Sequence, residues 1–152
     1  MQLKIKRVHP DAIIPKYATS GAACFDLHVL LENEYVWSVV APGEPIVLRT
    51  GLAIEIPPGY AMEIYSRSGH GFKNDIRLAN CVGVIDSDYR GELMVKLTND
   101  NADNQSITLH HGDRIAQARM VLAPQWDLVE VLELTDTVRG AGGFGSTGGG
   151  GQ

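Results

Sequence analysis

Carboxylate, guanidinium and hydroxyl groups cluster in a few short stretches of this chain. In Leu78 to Leu93 a β-branched run, Val82-Gly83-Val84-Ile85, ends in Asp86-Ser87-Asp88-Tyr89, and a second apolar run starts at Leu93. The pattern predicts a β-hairpin with its turn at Ser87-Asp88. It puts the Asp86 carboxylate at a strand end, where rigid scaffold meets open loop, a favourable place for a general acid or base. Aspartate is also an ordinary turn residue, so Asp86 gains weight only from its companions. Ser66-Arg67-Ser68-Gly69-His70-Gly71 follows a strand pattern, and Ser68 is placed to cap a short helix whose free amides, with Arg67, would hold an anion. Gly112-Asp113-Arg114-Ile115-Ala116-Gln117 brings an acid, a base and an amide together at a turn. Arg139 to Gly148 surrounds Phe144, Ser146 and Thr147 with glycine, whose backbone lets amides approach phosphate oxygens, and Arg139 can bind a phosphate bidentately. It is not a Walker A loop, because no Gly-Lys-Ser/Thr and no helix pattern follow.

The elements that must hold these groups read as short strands. Leu3-Ile5-Val8, Cys24 to Val29, Val36 to Val40, Ile46 to Leu48, Leu52 to Ile56, Ala61 to Tyr65, Leu93 to Thr98 and Ile107 to Leu109 are separated by Gly, Pro, Asn and Asp. Ile115 to Leu122 is apolar enough for a strand, although Asp113 could equally cap a helix there. Leu128 to Leu134 alternates and is expected to close the core. No long stretch has a helical period. The expected fold is all-β, a sandwich or barrel, in one domain over residues 1–138. Residues 139–152 differ: eight of the twelve positions from Gly140 to Gly151 are glycine, too few side chains for a packed core, so a tail that is mobile without ligand is expected.

Composition excludes other classes. The 152 residues carry a net charge of −5, against a nucleic-acid or membrane-surface binder. No apolar run approaches the roughly 18 residues needed to span a bilayer. Met1 to Lys6 shows no signal-peptide pattern, so a cytoplasmic protein is expected. Cys24 and Cys81 form no metal pattern and are read as reduced thiols. His110-His111 is read as solvated turn, with no metal assigned, and Tyr65 and the two tryptophans as core or subunit packing.

Five ordered segments together resemble the motifs of the trimeric dUTP diphosphatase (dUTPase) family: Ala23 to Leu27, Arg67-Ser68-Gly69, Asn80 to Gly91, Gly112 to Gln117 and Arg139 to Gly148. The match spans nearly the whole chain and is most specific in the third and fifth segments. Cys24, Ser66 and His70 stand where the family usually has Gly, Pro and an aliphatic residue. The resemblance implies a jelly-roll-like β-clip fold, a homotrimer with sites shared between subunits, and Mg²⁺-dependent hydrolysis of dUTP to dUMP and pyrophosphate. By position it implies that Asp86 orients and deprotonates the attacking water. Arg67, Ser68, Gly69 and Gln117 would contact phosphates. Asn80, with backbone groups of Cys81, Val82 and Gly83, would read uracil, and Tyr89 would lie under the sugar. Phe144 would stack on the base, with Arg139, Gly145, Ser146 and Thr147 completing the closed tail around the γ-phosphate. Mg²⁺ would sit mainly on phosphate oxygens and waters, with Asp26 reaching it through water. The tail is expected to act on a neighbouring subunit's site. Two rivals share the pocket chemistry: a dCTP deaminase, which needs an acid at C4 of cytosine, and a nucleotide-responsive regulator without catalysis.

Overall fold

The computed structural model describes residues 2–32 and 37–143. Ten strands and one short helix follow in order: β1 (Lys4–Arg7), β2 (Phe25–His28), β3 (Trp37–Val40), β4 (Ile46–Glu55), β5 (Tyr60–Tyr65), α1 (Ser68–Asn74), β6 (Ile76–Leu78), β7 (Val82–Ile85), β8 (Glu92–Asn99), β9 (Ile107–His110) and β10 (Arg114–Leu122). The all-β expectation holds. Strands pair as β1-β4-β8-β6 in one sheet, β2-β10-β5-β7 in a second, and β3-β9 in a small third.

Alternation drives the packing. On β5, Met62 and Ile64 point inward while Glu63 and Tyr65 face out; on β8, Leu93, Val95 and Leu97 are buried and Met94 and Lys96 are not. These residues join Leu27, Val29, Ile76, Leu78, Ile115 and Ala118 in one core between the two large sheets. Each fully buried Leu or Met contributes about 1.5–3 kcal/mol. The buried Asn99 is satisfied: its amide donates to the Val40 and Gln105 carbonyls at 2.9 and 2.8 Å, and its Oδ1 accepts from Asn101 N at 2.9 Å.

Of four expectations three need correction, and the third below, strand or helix at Ile115 to Leu122, is settled as the strand. The runs flanking Asp86 do not pair with each other. The turn forms, with Tyr89 N donating to Asp86 O at 3.2 Å, but β7 joins β5 in the second sheet while β8 joins β4 and β6 in the first. Gly83 lets β7 settle on β5, since a Cβ there would stand 3.2 Å from Ile64 Cβ. Asp86 thus stands where the chain crosses from one sheet to the other. Second, Ile46–Glu55 is one strand; Gly51 marks a bulge in it, at φ 68°, against Ala12 and Leu30. Third, Ile115 to Leu122 belongs to β10, and Asp113 caps no helix; its Oδ2 accepts from His110 N at 2.7 Å. Fourth, Leu128 to Leu134 closes no core of its own chain. It forms no strand, and Leu128 and Leu132 are 95% and 104% exposed. Trp126, read as core or subunit packing, is 80% exposed in the single chain, so it is not core.

Candidate active site

Three segments far apart in sequence meet at one end of the second sheet. Asp26 on β2 pairs in register with Gln117 on β10, and Gln117 pairs with Tyr65 at the end of β5. The chain leaving β5 carries Ser66, Arg67 and α1. Arg67 Nε donates to Asp26 Oδ1 at 2.9 Å, and Arg114 Nη1 lies 3.3 Å from Asp26 Oδ2. One largely buried carboxylate therefore aligns two guanidiniums, a preorganised receptor for a polyanion. Gln117 Nε2 donates to Ser66 O at 2.9 Å, tying β10 to the same loop.

The loop is held by residues that depart from the family pattern. Ser66 Oγ accepts from Leu78 N at 2.9 Å. His70 Nε2 bonds the Arg114 carbonyl at 2.8 Å, which requires the Nε2–H tautomer. Ser68 does not cap α1, a correction to the expectation: it is the first helical residue, and the cap position is Arg67, extended and without a side-chain cap bond. A cap must have extended φ/ψ before the helix, and Ser68 is already inside it. Ser68 and Gly69 are exposed at the helix start, where amides have no intrahelical acceptor.

His28, one strand residue beyond Leu27, lies beside this group. Burial pushes its imidazole below the usual histidine value; Asp26 opposes the shift, and Arg114 and Arg67 add to it. Its Nδ1 is buried with no hydrogen-bond partner among the described residues.

A second group forms around β7. Cys81 is exposed in the left-handed region at φ 62°, and Val82 N donates to Asn80 O at 2.7 Å, a tight turn that presents Asn80, Cys81 and Val82 at the strand entrance. Asn80 and Gly83 line a hollow of about 180 Å³ with Ile64, Val84 and Met94. A neighbouring hollow of about 240 Å³ holds Asp86 and Tyr89 with Val84, Ile85, Glu92 and Leu93. Asp86 is exposed, and the Tyr89 hydroxyl donates to Glu92 O at 2.9 Å.

The two groups are not brought together within one chain. Val82 pairs with Tyr65, and Ile85 with Met62, so Asp86 lies at the opposite end of β5 from Arg67. The register runs three strand steps from Tyr65 to Met62, about 10 Å at roughly 3.3 Å per residue, with Arg67 and Asp86 beyond opposite ends of it. Arg139 joins neither group; its Nε donates to Gly142 O at 3.1 Å. Phe144, Gly145, Ser146 and Thr147 lie outside the described residues. Sequence reasoning left out Arg114, although the segment Gly112 to Gln117 contained it; its 88-residue separation from Asp26 hid the contact. The described residues contain no cluster of three or more His, Cys, Asp or Glu able to hold a metal ion, and no helix long and apolar enough to cross a membrane.

The comparisons identify the family. The dUTPase family model matches residues 10–148. The deoxyuridine 5'-triphosphate nucleotidohydrolase of Nautilia profundicola is 47% identical over 97% of this chain and 99% of its own length. That of Caulobacter vibrioides is 46% identical over 91% of this chain and 87% of its own. Among solved structures, the dUTPase of Staphylococcus bacteriophage 80alpha with dUPNHPP is 28% identical, covers 97% of this chain and 98% of its own, and superposes with a TM-score of 0.85. That likeness over nearly the full length makes the fold the jelly-roll-like β-clip of such proteins. With its motif segments all lying inside a match that runs almost end to end, this chain belongs to the dUTPase family.

Proposed function

We propose a mechanism for the reaction that family membership assigns to this chain, hydrolysis of dUTP to dUMP and pyrophosphate. Asp86 takes a proton from water as that water attacks the α-phosphorus in line, and pyrophosphate leaves. Its exposed carboxylate at the crossover between sheets is ready to accept that proton. Arg67, Arg114 and Gln117 neutralise and orient the phosphates, with the Ser68 and Gly69 amides at the bridging oxygen between α and β. Asn80 and the backbone of Cys81 to Gly83 pair with the uracil edge, and Tyr89 lies under the sugar. Arg139, Phe144, Gly145, Ser146 and Thr147 close over base and γ-phosphate, excluding water.

The donor set fits Mg²⁺ carried by the substrate. Asp26 already accepts from two arginines, so its remaining lone pairs suit a bound water better than direct ligation. Asp26 would hold such an ion through water, and the ion would neutralise phosphate charge.

The separation of Asp86 from Arg67 supports a site shared between subunits. The α-phosphorus and the adjoining bridging oxygen are bonded neighbours, far closer than the roughly 10 Å of strand between the two groups, so the base of one chain serves the phosphates held by another. The uncovered apolar residues Trp126, Leu128, Leu132 and Leu134 supply a reason to associate, and a closed homotrimer satisfies both observations.

The observation that carries this reading is the Asp26–Arg67–Arg114 receptor combined with the unbroken run Gly83 to Gly91. Pyrophosphate release from dUTP, UTP, dTTP and dCTP, compared side by side with Mg²⁺, tests it. Strong preference for dUTP is expected; comparable turnover of UTP removes the role of Tyr89, and ammonia release from dCTP would point to a deaminase.

A further inference from the structure

The bulge in β4 frees a backbone donor that the ladder does not use. Between Arg49 and Ala53 the β4–β8 register shifts, and Gly51 turns to φ 68°. Its N–H is taken by Glu92 Oε1 at 2.7 Å. The same carboxylate receives Arg49: Nε lies 3.0 Å from Oε2 and 3.2 Å from Oε1, and Nη2 lies 3.0 Å from Oε2. The Glu92 side chain is 18% exposed, so its charge is largely desolvated and depends on these donors. Arg49 is itself steadied by Glu32 on its other edge.

Glu92 also touches the candidate active site, through its main chain. Its carbonyl accepts the Tyr89 hydroxyl at 2.9 Å. The ring folds back over Gly91 so closely that a Cβ there would stand 2.4 Å from the hydroxyl oxygen. Tyr89 is thus held by a bare glycine beneath it and by the carbonyl of a residue whose side chain is clamped on the neighbouring strand. Glu92 is the first residue of β8 and pairs with Ala53 on the far side of the bulge, so its backbone is held at the very end of the ladder, where the side-chain clamp adds to that single pair.

We propose that Arg49 is a positioning residue for the known reaction: by clamping Glu92 it fixes the Tyr89 ring and so sharpens the preference for deoxyribose over ribose. The inference rests on the reading of Tyr89 as the platform under the sugar. Excluding a 2′-hydroxyl is a matter of ring placement, and an error on the order of 1 Å in such a contact can change rates by up to about 10². The bulge has supports besides this pair. Thr50 Oγ1 donates to Leu93 O at 2.7 Å, Val8 N donates to Gly51 O at 2.8 Å, and the strands stay paired on both sides. Removal of the guanidinium should therefore move the ring without unfolding the sheet.

The test measures kcat/KM for dUTP and UTP in wild type, Arg49→Met, Arg49→Lys, Tyr89→Phe and Tyr89→Ala, with a melting curve for each. Arg49→Met should lower the dUTP:UTP ratio about ten-fold, with kcat for dUTP close to wild type. Arg49→Lys should fall between, since a point charge replaces a fork. Tyr89→Phe keeps the ring but loses the bond to Glu92, so it should shift the ratio the same way, and adding Arg49→Met should change it little further. An unchanged ratio in Arg49→Met beside a collapsed ratio in Tyr89→Ala overturns the clamp and leaves the platform standing. An unchanged ratio in Tyr89→Ala overturns the platform, and the clamp's role with it.

Discussion

The loop from Asn80 to Glu92 and the arm from Trp126 to Val138 are similar in length and both follow apolar strands, yet the chain treats them in opposite ways. In the loop almost every turn is closed from within: Val82 N donates to Asn80 O, Tyr89 N to Asp86 O, and Arg90 Nη1 to the Ser87 and Tyr89 carbonyls at 2.7 and 2.9 Å. Among the described residues the arm is bonded to the body only just before its start, and a local turn closes its far end. Ala123 N bonds Gly59 O at 2.9 Å, Gly140 N bonds Thr137 O at 3.0 Å, and the apolar side chains between face solvent. Local bonds can complete a loop, whereas an apolar arm needs a surface, and the described residues of this chain leave it uncovered. In the proposed reading the loop carries the chemistry and the arm a demand for a neighbour.

The comparison breaks most sharply at Asp86. Asp86→Asn should lose roughly 10²–10⁴ in turnover, the worth of a positioned base, while a non-hydrolysable dUTP analogue still binds. Joint loss of binding and turnover would make Asp86 part of the loop's scaffold. If base and phosphate receptor belong to different chains, Asp86→Asn and Arg67→Ala refolded together should regain activity, although each alone is inactive. Random mixing gives about a quarter of sites both intact parts. No rescue, with mixed trimers verified by a tag on one variant, would return the site to a single chain.

For the arm, Leu128→Asp with Leu132→Asp should leave the β body folded but disperse the assembly, seen by sedimentation as a shift to monomer. Turnover should fall by at least about 10² with it, because shared sites need neighbours. Monomers of full activity would contradict both the trimer and the shared site. Deletion after Arg139 sharpens the contrast from the other side. Assembly should persist, since glycine adds nothing to a core, while turnover drops on the order of 10² for want of closure. Full activity would reduce the tail to a linker.

The smallest effect concerns His28. Its folded imidazole is pushed below the usual value, so the unfolded chain binds the proton first as pH falls. Stability should decline as pH drops below about 7 through the unfolded value near 6.5 toward the lower folded one. Melting temperature between pH 7.5 and 5.5 should fall less in His28→Gln than in wild type; equal slopes would rule out His28 as the source.

Sequence alone determined the all-β class, the turn at Ser87-Asp88, the strand-end position of Asp86 and the glycine-rich character of the tail. Each depends on bonds or conformational preferences within a few residues, which composition and alternation record directly. Only the tertiary structure decided which sheet receives Val82–Ile85, that Asp26 holds Arg67 and Arg114 across 41 and 88 residues, and that Glu92 fills the bulge at Gly51. Those depend on register between distant strands, and alternation has the same period in every register. The arm shows the limit most plainly. Leu128 to Leu134 alternates as a core strand does, but alternation says only that a face must be covered; whether a chain's own core covers it depends on where the chain runs after β10, which no local pattern records.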